Sequence, residues 1–419
     1  MSLSIKVLDC NARCQSCYEN KIRENYHQKY DRKKIIETMK LKMNDFKQVT
    51  VHGGEPLLMG YLDLKEIFKI TYKKFKSTGI QTNILLLKKR HVNLFKKYST
   101  HVGVSIDGDI SAMNQGRGYD PHKVIENMKI LRDAGVRMSC IIVLRKYNAG
   151  PDNIDKLIRF IRRLKIEFGI TDIRCNPGIV FDDSLRVEEE LSPYDLGLTY
   201  MKLFDFIMNE NGLSLQPIRD FIDGLMGYTD MTCAYGECDP YMTGAEQTIM
   251  HDGSMGNCLK SGAALDGIAA LRATEKNNAR SEMLKQLDSD NFGCKDCTYW
   301  NMCHGGCPGE GIDNEWRNRS RFCEGYKMIF NHIGKKIKNL FPNAYLLPDF
   351  HPNIRKSIDS IDGSTWRKDK RKPIENIEKE NKQCIIDSNG HGDHHTDEHG
   401  DSEHGDSNDP AWRRANGWN

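Results

Sequence analysis

The stretch Cys10-Asn-Ala-Arg-Cys14-Gln-Ser-Cys17, followed at once by Tyr18, decides how the rest of the chain is interpreted. Three thiolates at a Cys-x3-Cys-x2-Cys spacing fit three corners of a cubane iron–sulfur cluster, although most such clusters take four cysteines. The next cysteine is Cys140, so one iron would lack a nearby protein ligand. An open coordination position is typical of a metal that takes part in chemistry. The spacing also leaves open a structural zinc knuckle completed by a histidine such as His27.

Length and composition narrow the classes of protein that need to be considered. The chain has 419 residues, enough for two or three folded units, and its formal net charge of +3 gives little reason to expect a nucleic-acid partner. It contains no apolar run of membrane-spanning length and no basic-then-apolar leader, so we expect no membrane partner and a cytoplasmic location. The 14 cysteines are more typical of metal binding than of disulfides, because disulfide density belongs to small secreted domains.

From residue 3 to about residue 180, β-rich runs alternate with amphipathic stretches at helical spacing. The predicted strands are Ser4–Leu8, Gln48–His52, Gly79–Leu87, His101–Asp107, Arg137–Leu144 and Asp172–Asn176. The predicted helices lie at about 32–46, 61–76, 89–98, 121–135 and 151–168. This repeat predicts an α/β fold with a parallel sheet, in the form of a partial (β/α)6 barrel. Its chemistry is expected at the carboxyl ends of the strands, where Cys10 follows the first strand.

The rest of the chain divides by composition into three further parts. We predict a barrel at 1–185, a helical bridge at 186–230, a cysteine-rich domain at 231–342, and a charged linker with a tail at 343–419. Further helices are predicted at about 193–210, 215–227 and 325–340. The last thirty residues, Gly390–Asn419, are rich in Gly, Asp and His and are expected to be disordered when free. Their histidines could bind metal loosely, but a solvated polar tail is the preferred interpretation.

A glycine pair, His52-Gly-Gly-Glu-Pro56, ends the second predicted strand, and it lets the backbone pass close to a ligand. Together with the cysteine motif, this stretch resembles the radical S-adenosylmethionine (radical SAM) enzymes, and the resemblance covers residues 4 to about 180. It implies that the three cysteines hold a 4Fe–4S cluster whose open iron is chelated by SAM. The expected product of reductive SAM cleavage is a 5′-deoxyadenosyl radical.

The same resemblance assigns SAM contacts to residues of several strands. Gly53, Gly54, Glu55 and Pro56 would contact the amino group, and Tyr18 would lie near the adenine. Gln81 belongs to a third-strand motif, with Ile84 where a glycine is usual. Ser105 would face the ribose, with Asp107 as a weaker candidate. Arg117 falls where related enzymes place an arginine that binds a carboxylate, a role that its guanidinium fork suits, although a surface loop residue is an equal alternative.

A second block of cysteines has enough thiolates for two cubanes or, equally, for two zinc-ribbon sites. Its spacing resembles the SPASM extension of radical SAM enzymes, which carries two auxiliary 4Fe–4S clusters and usually serves peptide or protein substrates. The resemblance assigns Cys233, Cys238, Cys258 and Cys307 to the first auxiliary cluster. It assigns Cys294, Cys297, Cys303 and Cys323 to the second. Cys140 and Cys175 are expected to be small core residues, and Cys384 is left over.

The function that these motifs predict is a radical SAM peptide maturase. The expected product is an oxidative cross-link of the cyclophane type, a C–C bond at an aromatic residue of a ribosomal peptide. The substrate could be the chain's own tail, which ends in Trp412-Arg-Arg-Ala-Asn-Gly-Trp418-Asn419. An external low-potential donor such as flavodoxin or ferredoxin is expected to supply electrons.

Two other functions remain open. One is oxidation of a protein side chain, as in the sulfatase maturases. Those enzymes place an acidic residue directly after the third cysteine of the first auxiliary cluster, but here Leu259 and Lys260 follow Cys258. The general base is therefore unassigned, with Glu237 and Asp239 as weak candidates. The other function is a non-catalytic electron carrier, which would need no SAM pocket.

Overall fold

The framework of the fold is one sheet whose strands are joined by helical crossovers. The computed structural model describes residues 2–25, 29–227, 247–256, 258, 280–344 and 346. The strands are β1 (Ser2–Lys6), β2 (Gln48–His52), β3 (Thr78–Thr82), β4 (Thr100–Ser105), β5 (Met138–Leu144), β6 (Asp172–Pro177), β7 (Ser214–Gln216), β8 (Gln247–Ile249) and β9 (Met255–Gly256). Their order is β7-β6-β5-β4-β3-β2-β1-β8-β9, and every pair is parallel except β8 with β9.

Helices connect and cover these strands. They are α1 (Asn20–Asn25), α2 (Arg32–Lys42), α3 (Tyr61–Phe75), α4 (Lys89–Lys97), α5 (Pro121–Asp133), α6 (Lys146–Ala149), α7 (Ile154–Phe168), α8 (Asp183–Glu189), α9 (Pro193–Met208), α10 (Ile218–Leu225), α11 (Arg280–Gln286), α12 (Trp300–Cys303) and α13 (Cys323–Leu340). Helix starts carry the expected caps. Asp120 accepts from the backbone of His122 before Pro121 opens α5, and Ser192 accepts from Asp195 before Pro193 opens α9.

The C-terminal helix α13 packs closely against α9. A Cβ on Gly197 of α9 would lie 3.1 Å from the Cα of Gly325, and one on Gly325 would lie 2.2 Å from the carbonyl oxygen of Pro193. Glycine at both positions therefore lets the two helix backbones approach more closely than side chains would allow. This contact fixes the start of α13, where Cys323 stands.

The predicted α/β fold with a parallel sheet is confirmed, and each of the six predicted strands is present. Several boundaries were wrong, including those of the first strand, which spans Ser2–Lys6 rather than Ser4–Leu8, and two of the errors have a clear structural cause. The third strand ends at Thr82 rather than Leu87, because Ile84 has a left-handed backbone with φ 52°. The helix expected at 215–227 begins only at Ile218, because residues 214–216 pair with β6 as strand β7. The strands β8 and β9, which extend the sheet beyond β1, were not predicted from the sequence.

Within the described residues, no helix combines the length and the apolar character needed to cross a bilayer. The predicted domain boundaries remain predictions, and residues 347–419, including the tail, lie outside the described part of the chain.

Candidate active site

The loop after β1 brings Cys10, Cys14 and Cys17 together. The amide of Cys17 donates to the carbonyl oxygen of Cys14 at 3.3 Å, and the amide of Ala12 donates to Cys10 Sγ at 3.4 Å. Burial raises the pKa of all three thiols, that of Cys17 to about 11, and each thiolate is further disfavoured by the charge of another of the three. Mutual repulsion among thiolates is what a bound cation relieves, so this donor set suits a cluster of iron and sulfide.

The glycine pair lies directly against the segment that leads into Cys10. Gly53 has φ 78° and Gly54 has φ 32°, and a Cβ on Gly54 would lie 2.2 Å from the carbonyl oxygen of Asp9. The amide of Glu55 donates to that same carbonyl at 2.7 Å, and the amide of Gly54 donates to the buried carboxylate of Glu19 at 2.6 Å. Two loops that meet at this distance require glycine.

Glu55 itself joins two strand ends. Its buried carboxylate accepts from the amide of Leu57 at 2.9 Å, from Thr82 Oγ1 at 2.5 Å and from the amide of Asn83 at 2.8 Å. Burial raises the pKa of this carboxyl, whereas the three hydrogen bonds oppose the rise. Glu55 therefore fixes the loop after β2 to the end of β3, and Pro56 opens the 3₁₀ turn that follows.

The other predicted SAM contacts come from β3, from β4 and the turn after it, and from the cysteine loop. Gln81 Nε2 donates to Ser105 Oγ at 3.0 Å, and Tyr119 donates to the carbonyl oxygen of Ser105 at 2.8 Å. Asp107 and Arg117, which were predicted as separate contacts, form one bidentate ion pair with both N–O distances at 2.6 Å. Asp107 thus engages the Nε and Nη2 side of the Arg117 guanidinium, which was predicted to bind a carboxylate. Tyr18 is half-buried and packs on the core.

A buried polar network that the sequence did not indicate fixes the cysteine loop from the other side. Ser16, between Cys14 and Cys17, donates its hydroxyl to Glu189 at the end of α8. Arg145, just after β5, pairs with Glu189 and donates to the carbonyl oxygen of Ser16 at 3.1 Å. The side chains of Arg145 and Glu189 are each only 9% exposed. The loop is therefore fixed by a charged pair from two distant elements.

We expect Glu189→Gln to lower the free energy of unfolding by about 3 kcal/mol, because it leaves the Arg145 guanidinium buried opposite a neutral amide. Chemical denaturation monitored by circular dichroism measures the change. The matched control is Glu188→Gln at the exposed neighbouring position, with an expected change within about 0.5 kcal/mol. Equal effects of the two substitutions would show that the buried pair does not hold the loop.

Four thiols of the second cysteine block line one pocket. They are Cys294, Cys297, Cys303 and Cys323, and the pocket is closed by residues that include Tyr326 and Lys327. Burial raises the pKa of Cys294 to about 12 and also raises those of Cys303 and Cys323. Among the residues that the structure describes, no three Cys, His, Asp or Glu side chains form a ready-made site for a single metal ion.

The loop around this pocket is held by Arg280 of α11. Its buried guanidinium donates to five backbone carbonyl oxygens, including those of Gly305 at 2.9 Å, Gly306 at 3.0 Å and Trp316 at 2.8 Å. Nothing in the sequence singled out Arg280, because backbone carbonyls leave no trace in the residue pattern.

Of the other predicted cluster ligands, only Cys258 and Cys307 lie in the described part of the chain. Cys258 and Cys307 are half-buried, and Cys307 is absent from the lining of the four-thiol pocket. Cys233, Cys238, Glu237 and Asp239 lie outside the described residues, as do His27 and Cys384. Cys140 and Cys175 lie in the hydrophobic core, at 1% and 0% exposure, as their strand positions predicted.

The family comparison agrees with the cysteine loop and glycine pair. Residues 5–161 match the Radical SAM superfamily. This part of the chain is therefore similar to the radical SAM domain. Members of the superfamily use SAM and a 4Fe–4S cluster, and the match supports an enzyme.

The similarity to curated proteins extends well beyond the radical SAM domain. The chain is 25% identical over 353 residues to a cysteine-type anaerobic sulfatase-maturating enzyme of Clostridium novyi, covering 77% of this chain and 91% of that enzyme. It is 22% identical over 375 residues to a serine-type anaerobic sulfatase-maturating enzyme of Bacteroides thetaiotaomicron, covering 77% and 86%.

Two groups of solved structures share the fold. Native anSMEcpe with bound AdoMet and Cp18Cys peptide superposes with a TM-score of 0.63 at 21% identity, covering 82% of this chain and 99% of that one. Streptococcus suis SuiB bound to precursor peptide SuiA superposes with a TM-score of 0.53 at 19% identity, covering 77% and 75%. Both similarities therefore cover more of the chain than residues 5–161.

Proposed function

We propose that this protein is a radical SAM peptide maturase that removes two hydrogens from a peptide substrate and forms a cross-link at an aromatic residue. One observation supports it above the others: the chain carries a three-thiol loop beside a glycine pair and, separately, a pocket lined by four thiols. An electron carrier would not need the first arrangement. Peptides are bound in related structures, with Cp18Cys in anSMEcpe and SuiA in SuiB.

In this proposal, each part of the site has its own role. Cys10, Cys14 and Cys17 hold the first 4Fe–4S cluster, and the SAM contacts are Tyr18, Gly53, Gly54, Glu55, Pro56, Gln81, Ser105, Asp107 and Arg117. When bound, the cluster and SAM supply one-electron transfer and a hydrogen-abstracting radical. The protein orients the substrate C–H bond and excludes water. In this proposal Arg117 lines the site while its guanidinium is paired with Asp107.

The geometry of Glu55 supports this division of roles. Its two carboxylate oxygens are occupied by β3 and by the 3₁₀ turn, so the backbone around Gly53 and Gly54 is left to meet the ligand. A close backbone approach of this kind suits a small amino-acid group. One hydrogen of the substrate would leave to the 5′-deoxyadenosyl radical, and the second would leave as a proton and an electron. The two auxiliary clusters are proposed on the second cysteine block with the assignments given above, where they would take up that electron, and an external flavodoxin or ferredoxin is the proposed donor for SAM cleavage.

A second candidate is oxidation of a protein side chain to a carbonyl, as the names of the sulfatase-maturating relatives suggest. The similarity over more than three quarters of this chain favours it. The sequence opposes it, since Leu259 and Lys260 stand where an acidic residue is expected after Cys258.

The test is anaerobic turnover of the full chain with SAM and dithionite, followed by mass spectrometry. We expect 5′-deoxyadenosine and, if the tail is the substrate, a fragment from residues 390–419 lighter by two hydrogens, with the change at Trp412 or Trp418. Because conversion of an alcohol to an aldehyde removes the same mass, the fragment is also treated with a hydrazine. A hydrazone would favour the carbonyl product, whereas an unreactive lighter fragment supports the cross-link.

An unmodified tail, together with undiminished formation of 5′-deoxyadenosine after truncation at Gly390, would show that the tail is not the substrate. The proposed substrate would then be a separate peptide. Absence of 5′-deoxyadenosine from an iron-replete sample would contradict the proposed function itself.

A further inference from the structure

The strands of the sheet have two chemically different faces. In β1, Leu3 and Ile5 are fully buried in the hydrophobic core, and Val49 and Val51 of β2 are buried with them. Side chains alternate along a strand, so the residues between them face the opposite side of the sheet. We call that opposite side of β1–β7 the inner face.

The inner face is largely polar, although Ile141 and Val143 of β5 also lie on it. The interior of a closed barrel is usually filled by branched apolar side chains. Lys6 of β1 is in register with His52 of β2, and Gln81 of β3 is in register with Gly103 of β4. Farther round, His101 Nε2 lies 2.8 Å from Ser139 Oγ across the β4–β5 pair. These side chains are mostly half-buried, so they line a surface that a ligand can reach.

Lys6 is the unusual member of this surface. It is only 1% exposed, and within the described part of the chain its ammonium makes no hydrogen bond or ion pair. Its stem packs under the glycine pair, since a Cβ on Gly53 would lie 3.0 Å from Lys6 Cδ. Lysine is almost never fully buried unless it is paired, because desolvation of a charge is costly. The two buried carboxylates at the glycine pair are already engaged, Glu19 by the Gly54 amide and Arg23, and Glu55 by three donors. A buried ammonium in this place therefore calls for a further anionic partner.

A second cationic side chain also favours an anionic ligand at the inner face. Arg174 of β6 lies on it, in register with Ile141 and Gln216, and donates to the Gln216 side chain. Over the described strands β1–β8, the one carboxylate on this face is Asp172, exposed at the start of β6. Asp107, just beyond β4, is already paired with Arg117.

We propose that the inner face binds a carboxylate of the peptide substrate, with the Lys6 ammonium as its main partner. The substrate class is thus a peptide that presents an Asp or Glu side chain, or its own C-terminal carboxylate, close to the residue that is oxidised. The inference rests on the proposed function, because it assumes a peptide substrate.

The test uses the full chain, reconstituted anaerobically with iron, sulfide and SAM and then immobilised. A library of nine-residue random peptides is passed over it, and the retained peptides are sequenced by mass spectrometry. One arm of the library is C-terminally amidated and the other has a free C-terminus. Asp and Glu enrichment in the amidated arm indicates a side-chain carboxylate, whereas preference for the free-acid arm indicates the terminal carboxylate.

We expect carboxylate-bearing peptides to be retained about tenfold over neutral ones, and Lys6→Met to remove this preference. Lys47→Met, at an exposed lysine, is the matched control and should retain it. Iron content and circular dichroism verify that Lys6→Met is folded. If Lys6→Met does not fold, Arg174→Gln takes its place, and we expect it to weaken the preference for carboxylate-bearing peptides without removing it.

Retention without carboxylate preference, or no retention of any peptide, would overturn the inference. Formation of 5′-deoxyadenosine by the unaltered protein is measured on the same preparation. If that activity is present and the preference is absent, the inference fails alone. If the activity is absent, the proposed function fails, and the selection still reports whether the inner face binds carboxylates.

Discussion

Replacing Cys10, Cys14 and Cys17 together with Ala is expected to abolish formation of 5′-deoxyadenosine from SAM. The three thiols stand on one loop and each raises the pKa of another, so together they form one donor set. Removing all three leaves this loop without a thiol. The iron held by the second cysteine block should remain, because the four thiols of its described pocket belong to other elements. Anaerobic reconstitution, iron analysis and chromatography of the reaction products measure both quantities.

The matched control for this variant is Cys140→Ala. Cys140 lies in β5 with 1% exposure and belongs to the hydrophobic core, so its removal should leave iron content and SAM cleavage unchanged. SAM cleavage by the triple variant would show that the open iron lies elsewhere. Loss of all iron would show instead that the chain folds around one cooperative metal core.

Patterns of short range account for most of what the sequence predicted. Alternation of apolar residues within five or six positions located the strands, and Gly53-Gly54 marked a close approach of two loops before its partner, Asp9, was known. The misplaced strand end at Ile84 has a local cause, since a left-handed isoleucine is rare and no propensity predicts it.

The residues that the sequence did not predict act over long separations. Ser16 and Glu189 are 173 positions apart, and Glu189 and Arg145 are 44 apart, so no local pattern relates them. Arg280 binds backbone carbonyls, which every residue carries. The strand β7 is only three residues long and forms because β6 offers it an edge, which is a tertiary effect.

The end of α8 contacts residues that neighbour both cysteine sites in the sequence. Glu189 holds the first cysteine loop through Ser16, while the next residue, Glu190, lies 3.6 Å from Arg321, two positions before Cys323. Arg186, one turn earlier, donates to Asn314 at 2.9 Å, and Arg321 donates to the same oxygen at 2.8 Å. A substitution that moves the end of α8 is therefore expected to displace residues at both sites. A substitution that tests the second site alone must avoid the residues that contact α8.

Cys294→Ala meets that requirement, and we expect it to remove one cluster's share of the iron and block the oxidised product while SAM cleavage continues. Cys294 lines the four-thiol pocket, and its amide donates to the carbonyl oxygen of Leu284 in α11 at 2.7 Å, so its backbone is held by α11 rather than by α8. The first cysteine loop keeps its own ligands. Uncoupled cleavage is thus the expected signature, measured as 5′-deoxyadenosine formed per peptide product.

Cys175→Ala, in the core of β6, is the matched control for Cys294→Ala and should change neither the iron content nor the coupling ratio. Zinc in place of the additional iron in an anaerobically purified sample would contradict the assignment of an auxiliary cluster, because a zinc site cannot exchange electrons with the substrate. Unchanged coupling in an iron-depleted Cys294→Ala protein would mean that the four-thiol pocket is structural. If Cys294→Ala abolishes both SAM cleavage and the peptide product, the two cysteine sites depend on each other, and the second site does not act in substrate oxidation alone.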